Sequence, residues 1–469
     1  MVRLYQGLLK TGILGTNPIR QVLYLLWCYL RFGASLYTLA AWAAQRYSSR
    51  IALKTQTKEI SYQDLFLETD QVASGLYGLG LRAKQTLGLH CHNRIEFVQT
   101  LLAASRLGAN IVLLNPDSSP EKINEQCRAQ NIQFLVSDTP LETSSQTVIL
   151  TPSFASFKNY RSRLPRRNMG SVLMLTSGST GAAKVTRQKP TLQAALKTLT
   201  LFLERFQPKA ERSTLLTLPM FHGHGLATLI LSLLIGTRLH IFAKASIKQY
   251  LAAIQEQKID AIVLVPTILY RILEQADQYD LHSIITIVTG SAPLTPELAK
   301  RTQQRFGLVL YNFYGSSEIG MISLATPTDL AEFPDSVGKP FMEVRMLGQN
   351  VFVGGQNTGD TGYLKDGRLY LTGRQDEMLI CGGINIYPQI LEQQIMQLEY
   401  VLECAVLGIP DPEYGQAIHL FVVLAENALL EQLENDLQRL MPRATRPKRI
   451  TQLPELPRNA IGKLERHKL

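Results

Sequence analysis

Short apolar runs alternate with amphipathic stretches along the chain from about Ile51 to Tyr314. Many of these runs are rich in β-branched residues. Ala261–Val265 predicts a buried strand followed by a helix through Leu273, and Ile284–Val288 predicts another strand. Alternation of this kind is typical of βαβ units and parallel sheets. We therefore expect an α/β fold with a large N-terminal domain of parallel or mixed sheets and helices.

After Gly373 the chain becomes more charged and contains a second set of apolar runs. They predict strands at Glu403–Gly408 and Ile418–Leu424 and a helix near Leu429–Leu440, which indicates a small α+β C-terminal domain. A chain of 469 residues also exceeds what one hydrophobic core usually supports. The predicted division is a lipophilic segment at 1–33, a large domain at 34–374 and a small mobile lid domain at 375–469, with the boundary at Arg374–Asp376.

The N-terminal segment has an unusual composition, since Gln21 to Gln45 carries one charge, Arg31, among Leu, Tyr and Trp. Arg31 near the centre of a membrane span would cost about 2.5–3.5 kcal/mol, and Gly33 interrupts the run. A secretory signal would end in a cleavage site, whereas the chain continues into Leu36–Ala44, which predicts the first domain helix. Three alternatives stay open: a helix on a membrane surface or in a lipid-facing groove, a core helix, or a membrane anchor.

Composition and charge narrow the functional classes. With 45% hydrophobic and 18% charged residues the chain can bury a sizeable core. Its net charge of +10 would favour binding to nucleic acid, to an anionic membrane or to phosphate-rich substrates. Basic residues crowd the last thirty positions without a basic helix that could read bases, so phosphates of a small ligand are favoured over nucleic acid. They are Arg443, Arg446, Lys448, Arg449, Arg458, Lys463, Arg466 and Lys468.

The five cysteines are scattered and form no C-x-x-C pair. This indicates a reducing cytosol, and the expected location is cytoplasmic, with peripheral attachment to the inner face of a membrane as the alternative that the N-terminal segment leaves open. Cys381 is expected to be a small apolar residue of the core and no nucleophile.

A loop rich in glycine and hydroxyl groups follows the predicted strand Val172–Leu175. Glycines let backbone N–H groups approach phosphate oxygens, hydroxyls donate to them, and a lysine neutralises their charge, so polyphosphate is the expected ligand. The spacing Gly178, Gly181, Lys184 fails the P-loop pattern. An ordinary turn is the alternative. The loop comprises Thr176, Ser177, Gly178, Ser179, Thr180, Gly181, Ala182, Ala183 and Lys184.

Four more motifs carry polar chemistry. Tyr311–Glu318 combines an aromatic ring, hydroxyls and a carboxylate, a set that can stack a base, contact a phosphate and hold Mg²⁺. Thr358–Asp360 and Gly373–Asp376 offer an aspartate and an arginine that can bind sugar hydroxyls. Pro457–Lys463 places a lysine near the chain end. Each motif taken alone is also compatible with an ordinary turn, strand end or basic tail.

Taken together and in this order, the five motifs resemble the core motifs of the adenylate-forming superfamily, which includes acyl-CoA synthetases, luciferases and peptide-synthetase adenylation domains. The resemblance covers about Leu36 to the C-terminus. The chain looks most like medium- to long-chain fatty-acyl-CoA synthetases, through Pro219–Gly225, Gly290–Leu294 and Gly382–Pro388. It implies that ATP and Mg²⁺ convert a fatty acid to acyl-AMP with release of pyrophosphate, and that the acyl group then passes to CoA.

The resemblance implies nucleotide-binding roles for matching positions. Tyr314 would stack on adenine, Ser317 would touch the α-phosphate and Glu318 would hold Mg²⁺. Asp360 would bind both ribose hydroxyls, with Arg374 as its basic partner. The phosphate loop that cradles the β- and γ-phosphates would be Thr176, Ser177, Gly178, Ser179, Thr180, Gly181 and Lys184, and further nucleotide contacts would come from Gly290, Ser291, Ala292 and Asn312.

The remaining implied roles concern the acyl group and the two half-reactions. Lys463 would bridge the carboxylate and the α-phosphate, supplying with Mg²⁺ the positive charge that the transition state needs. Rotation of the small domain about the hinge Asp376 would then remove Lys463 and bring up Gly383, beside the pantetheine tunnel. His222 would border the acyl pocket. The implied catalytic set is Lys463, Glu318, Lys184 and Ser317.

The sequence departs from the family pattern at Ala183, Val185, Ser317 and Ile380, and none of these changes removes a charged catalytic group. Alternative functions are an acyl-AMP ligase that loads an acyl carrier protein, an aryl-acid–CoA ligase, an amino-acid adenylation domain, and a non-catalytic binding protein. His222 stands where amino-acid adenylation domains place an aspartate after Phe221, which disfavours that alternative.

Overall fold

The computed structural model describes residues 6–8, 11–15, 17–141, 148–151, 157, 164, 170–174, 200–206, 213–316, 319–381, 384–411, 415–441, 445–459 and 462–469. The chain divides into two compact units, of which the first comprises Met1–Leu264 and Ile268–Val288 and the second Val265–Thr267 and Thr289–Leu469. The domain boundary expected at Arg374–Asp376 stays a prediction.

Parallel strands dominate unit 1. Its strands are β1 (Ile51–Lys54), β2 (Glu59–Ser61), β3 (Thr86–His90), β4 (Asn110–Leu113), β5 (Phe134–Ser137), β6 (Val148–Leu150), β7 (Val172–Met174), β8 (Ser213–Leu216), β9 (Arg238–Ile241), β10 (Ala261–Val263) and β11 (Thr286–Gly290), which ends just past the unit. One parallel sheet has the order β6-β5-β3-β4-β7. The remaining strands of this list pair in the order β11-β10-β8-β9-β1-β2. They are parallel except for the antiparallel pair β1–β2.

Helices connect these strands, as the βαβ pattern predicts. They are α1 (Pro18–Phe32), α2 (Leu36–Arg46), α3 (Tyr62–Gly78), α4 (Ile95–Leu107), α5 (Pro120–Ala129), α6 (Gly223–Ile235), α7 (Ile247–Gln257) and α8 (Pro266–Leu273). Helix α4 is buried along its length and lies in the core of the unit. Within the described part of the chain, none of the helices has the length and apolar character that a membrane crossing requires.

Unit 2 is built from smaller, mostly antiparallel sheets. Its elements are α9 (Pro296–Phe306), β12 (Leu310–Ser316), β13 (Gly320–Ala325), α10 (Pro327–Glu332), β14 (Lys339–Pro340), β15 (Val344–Leu347), β16 (Asn350–Val353), β17 (Gln356–Lys365), β18 (Arg368–Arg374), β19 (Leu379–Cys381), β20 (Ile384–Ile386), α11 (Pro388–Ile395), β21 (Val401–Asp411), β22 (Gly415–Leu424), α12 (Leu430–Leu440) and β23 (Arg449–Gln452). The sheet orders are β14-β13-β12, β15-β16-β17-β18, and β20-β19-β22-β21 with β23 beside β22.

Local sequence signals explain where several helices begin. Ser246 accepts the backbone N–H of Gln249 and the Gln249 side chain accepts the N–H of Ser246, a capping box that starts α7. Thr326 and Asp329 form the same box at α10. The strand and helix predicted at Ala261–Leu273 are confirmed, and so are the two strands and the helix predicted after residue 400. The expected α/β class with a smaller C-terminal α+β part is therefore what the chain adopts.

Candidate active site

Three side chains predicted to bind the nucleotide meet in unit 2. Tyr314 on β12 donates its hydroxyl to Asp360 Oδ2 at 2.5 Å, and Arg374 Nη1 donates to Asp360 Oδ1 at 3.0 Å. Asp360 and Arg374 lie opposite each other in the register of β17 and β18. The sheet pairing therefore brings a carboxylate and a guanidinium together, although they are fourteen positions apart in sequence.

The backbone also fixes the orientation of this carboxylate. The N–H of Asp360 donates to Thr358 Oγ1 at 3.1 Å, and Gly359 between them has φ +77°, a conformation that suits glycine. Burial and the negative charge of Asp360 raise the pKa of Tyr314, so its hydroxyl stays protonated and donates. A carboxylate has about four acceptor positions, so it can accept several donors at once.

The loop after β11 has a strained backbone. Ser291 has φ +66°, a left-handed conformation that non-glycine residues adopt rarely and mostly where the surroundings impose it. Gly290 precedes it at the end of β11 and Ala292 follows. On β12, Asn312 is buried, and its Oδ1 has no hydrogen-bond partner within the part of the chain that the structure describes. An acceptor in that state can be satisfied by a ligand donor such as an amino group.

A tight turn presents Lys463. Its N–H donates to Asn459 Oδ1 at 3.0 Å and its carbonyl accepts the N–H of Asn459 at 2.9 Å. Arg458 closes the base of the turn by donating to the Gly462 carbonyl at 2.9 Å and to Glu403 Oε2 at 2.8 Å. These bonds hold the backbone at Lys463 in one geometry, so the lysine stands on an ordered turn although it lies close to the chain end.

The same turn contacts Val265 and Thr267 at the start of α8, which belong to unit 2. Thr267 Oγ1 donates to the Gly462 carbonyl at 3.4 Å, and a Cβ built on Gly462 would lie 3.0 Å from Val265 Cγ2. Gly462 also has φ +72°. Glycine is therefore required here both for the backbone conformation and for the close approach.

The predicted hinge is a short 3₁₀ turn at Gln375–Glu377. The backbone at Asp376 is part of this turn, while its side chain lies outside the description. Glu377 Oε2 lies 3.5 Å from Arg466 Nε, and the same guanidinium holds Glu392 Oε1 at 2.8 Å. Arg466, three residues after Lys463, thus ties the C-terminal segment to the residue after the hinge position.

His222 lies in unit 1, at the N-cap of α6. Its ring packs against Phe221 with the ring centroids 4.1 Å apart. Burial lowers the pKa of His222 and of His224 to about 4, so both imidazoles are neutral at pH 7. Gly225 permits this arrangement, since a Cβ there would come within 2.2 Å of the Pro219 carbonyl.

Asn93 is a residue that the sequence analysis missed. It is buried, its Nδ2 donates to the Leu218 carbonyl at 2.8 Å, and its Oδ1 accepts the Met220 N–H at 2.8 Å. The amide therefore fixes the backbone that leads into Phe221 and His222. Its partners lie more than 120 residues away in sequence, and the only local signal is a polar residue just after an apolar strand.

Several predicted positions lie outside the described residues, so their placement is not part of this geometry. They are the phosphate loop Thr176, Ser177, Gly178, Ser179, Thr180, Gly181 and Lys184, together with Ser317, Glu318 and Gly383. Within the described ranges, no group of three or more His, Cys, Asp or Glu side chains could hold a metal ion. The predicted Mg²⁺ ligand Glu318 stays a prediction.

Known proteins resemble this chain over most of its length. A 2-succinylbenzoate–CoA ligase of Lactococcus lactis subsp. lactis is 30% identical, with 82% of this chain and 90% of that protein covered. A ligase of the same name from Oceanobacillus iheyensis is 25% identical, with 87% and 94% covered. An o-succinylbenzoate coenzyme A synthetase from Bacillus subtilis, solved with ATP and magnesium ion, is 25% identical with a TM-score of 0.80, covering 92% of this chain and 98% of that chain.

Family models agree with this similarity. The model described as AMP-binding enzyme matches residues 40–371, and the model described as AMP-binding enzyme C-terminal domain matches residues 391–463. The first match alone spans more than half of the chain. The chain belongs to the AMP-binding enzyme family.

Proposed function

We propose that this enzyme activates 2-succinylbenzoate, or an aromatic acid close to it, with ATP and then transfers the acyl group to CoA. The observation that carries the proposal is the 30% identity to the Lactococcus lactis 2-succinylbenzoate–CoA ligase across most of both chains. Relatives of the same name from Bacillus subtilis and Staphylococcus aureus are 26% identical over 91% of this chain and support it.

The reaction class agrees with the expectation from the sequence. The chain is an AMP-forming acid–thiol ligase, and its reaction uses ATP, Mg²⁺ and CoA. The site supplies matching groups for the nucleotide, since a carboxylate such as Asp360 can accept hydrogen bonds from ribose hydroxyls and Tyr314 brings an aromatic ring beside it.

The expectation of a fatty acid as substrate is not supported, because the relatives are named for an aromatic acid. That expectation rested on the resemblance of Pro219–Gly225, Gly290–Leu294 and Gly382–Pro388 to medium- to long-chain fatty-acyl-CoA synthetases. The alternative of an aryl-acid–CoA ligase is the better one. Transfer to an acyl carrier protein likewise finds no support in these relatives.

The neutral histidines suit a substrate of this kind. 2-Succinylbenzoate has two carboxylates, of which one is activated and the other must be solvated or hydrogen-bonded inside the protein. A neutral imidazole donates one N–H, and His222 and His224 keep that form well below pH 7 because burial lowers the pKa of each to about 4. We infer that His222 contacts the ring or the second carboxylate, with Phe221 beside it.

Substrate preference tests the proposal directly. Acyl-CoA formation is measured with 2-succinylbenzoate, benzoate, and saturated fatty acids of increasing length, with CoA as acceptor. We expect kcat/KM for 2-succinylbenzoate to exceed that for each fatty acid by at least about 10²-fold, because a site that hydrogen-bonds a polar substrate group strongly rejects acids that lack it. A higher kcat/KM for any fatty acid, or acyl-AMP that is never passed to CoA, overturns the proposal.

A further inference from the structure

Helix α1 exposes an unusual apolar surface. Eight large hydrophobic side chains on this 15-residue helix are exposed, with exposed fractions from 37% to 71%. Elsewhere in the described chain, exposed large hydrophobic residues occur along the sequence singly or as one adjacent pair. We call these eight residues the α1 face; they are Ile19, Val22, Leu23, Leu25, Leu26, Trp27, Tyr29 and Leu30.

The opposite side of α1 is attached to the folded unit. Cys28 and Phe32 are buried in a cluster with Tyr37 and Ala41 of α2, and Tyr24 packs against the same cluster. These positions recur every three or four residues, which places them on one side of the helix. A surface helix normally turns its apolar side to the protein and its polar side to water. Here the helix is fixed to the protein and still presents apolar side chains outward.

Charge indicates what covers this face. The first 58 residues contain eight basic residues and no acidic one, and the first carboxylate is Glu59. Two of the basic residues, Arg20 and Arg31, are exposed near the two ends of α1. Arg31 packs over the ring of Trp27, with 5.4 Å from its Cζ to the ring centroid. Long cationic side chains flanking Leu, Trp and Tyr are typical of helices that lie at a lipid–water interface.

We propose that the α1 face docks the enzyme on the surface of an anionic lipid bilayer. The helix lies parallel to the membrane, its hydrophobic side chains enter the boundary between headgroups and acyl chains, and Arg20 and Arg31 contact lipid phosphates. The proposal is independent of the substrate, so it and the proposed function can fail separately.

The two tryptophans make the contact measurable. Trp27 lies on the α1 face and is 48% exposed, whereas Trp42 is buried with 1% exposed. Vesicles of phosphatidylcholine and phosphatidylglycerol should therefore shift the fluorescence emission to shorter wavelength through Trp27. The shift should be absent in Trp27→Phe and weak with phosphatidylcholine alone or in high salt. No shift with anionic vesicles overturns the proposal.

Sedimentation with the same vesicles provides a matched comparison. Leu23→Glu/Leu30→Glu removes two leucines that are each 60% exposed, and Leu308→Glu/Leu347→Glu removes two that are 58% and 61% exposed in unit 2. The first pair should lower the vesicle partition coefficient by at least about tenfold, since two leucines no longer enter the apolar layer. The second pair should leave it within about twofold. Equal effects of both pairs, or a dimer in solution that only the first pair dissociates while vesicles do not bind, overturn the proposal.

Discussion

Asp360→Asn tests the nucleotide site because it keeps the shape of the side chain and removes its charge. In the structure both carboxylate oxygens already accept a hydrogen bond, one from Tyr314 and one from Arg374. Hydrogen bonds to a charged group contribute about 1.5–3 kcal/mol and those between neutral groups about 0.5–1.5 kcal/mol. Two ribose contacts that change from charged to neutral therefore lose about 2–3 kcal/mol together, and we expect the KM for ATP to rise by about 30- to 150-fold.

The assay is pyrophosphate release with ATP and with 2′-deoxy-ATP. In the unmodified enzyme the missing 2′-hydroxyl should lower kcat/KM by about tenfold or more, because the carboxylate loses a charge-assisted partner. In Asp360→Asn the same deletion should have a much smaller effect, since the two changes remove one shared interaction. A KM for ATP that stays normal, or a penalty for 2′-deoxy-ATP that is equally large in both proteins, would refute the ribose assignment.

Asp366→Asn is the matched control. Asp366 lies between β17 and β18, has φ +50°, and asparagine tolerates that conformation as aspartate does. The substitution removes one negative charge from the same hairpin without touching the site. We expect the KM for ATP to stay within about twofold, so an effect as large as that of Asp360→Asn would point to the overall charge of unit 2 instead.

Three further changes test other parts of the site and of the fold. Lys463→Ala should slow acyl-adenylate formation by at least about 10²-fold, while thioester formation from supplied acyl-AMP stays near normal. Lys468→Ala is the control. Equal loss of both steps in Lys463→Ala would contradict the two-step scheme. Asn93→Leu leaves the Leu218 carbonyl and the Met220 N–H without this partner. The KM for the acid should therefore rise by about tenfold, while the KM for ATP changes little. Equal increases in the two KM values would indicate general unfolding. Burial lowers the pKa of His240 to about 4 from 6.5, so the stability it contributes is complete above pH 6.5 and is lost as the pH falls towards 4. Between pH 7 and pH 5.5 the free energy of unfolding, measured in urea, should therefore decrease by about 1 kcal/mol less in His240→Gln than in the unmodified protein. Equal decreases in the two proteins would refute the lowered pKa of His240.

Elements with a regular apolar pattern were predictable from the sequence. The strands β10 and β22 and the helix α12 agree with their patterns, and the buried apolar residues of β22 and α12 belong to one hydrophobic cluster. Helix α1 was not assignable in the same way. Apolar side chains occur both on the side that packs on Tyr37 and on the side that faces outward, so periodicity alone did not distinguish the two sides.

The candidate site was predictable as motifs but not as contacts. Asp360 and Arg374 were identified by resemblance, yet their ion pair follows from the β17–β18 register, which is a property of the folded sheet. The bond from Tyr314 to Asp360 joins residues 46 positions apart. Asn93 carried no motif at all, and its role arises from two backbone groups that the fold brings to it.

The contacts around Lys463 agree with the proposed rotation of the C-terminal domain between two half-reactions. Such a rotation needs contacts that move together with the domain and contacts that break. Arg466 holds Glu377, the residue after the proposed hinge, so this ion pair moves with the C-terminal segment and survives a rotation about Asp376. The contact between Thr267 and Gly462 joins the Lys463 turn to a segment before the hinge, and a rotation must break it. Its length of 3.4 Å makes it a weak hydrogen bond, and a bond of normal geometry contributes only about 0.5–1.5 kcal/mol. The ion pairs of Arg466 with Glu377 and Glu392 thus lie within the part that would move as one body, and the contact between Thr267 and Gly462 lies where that part would separate.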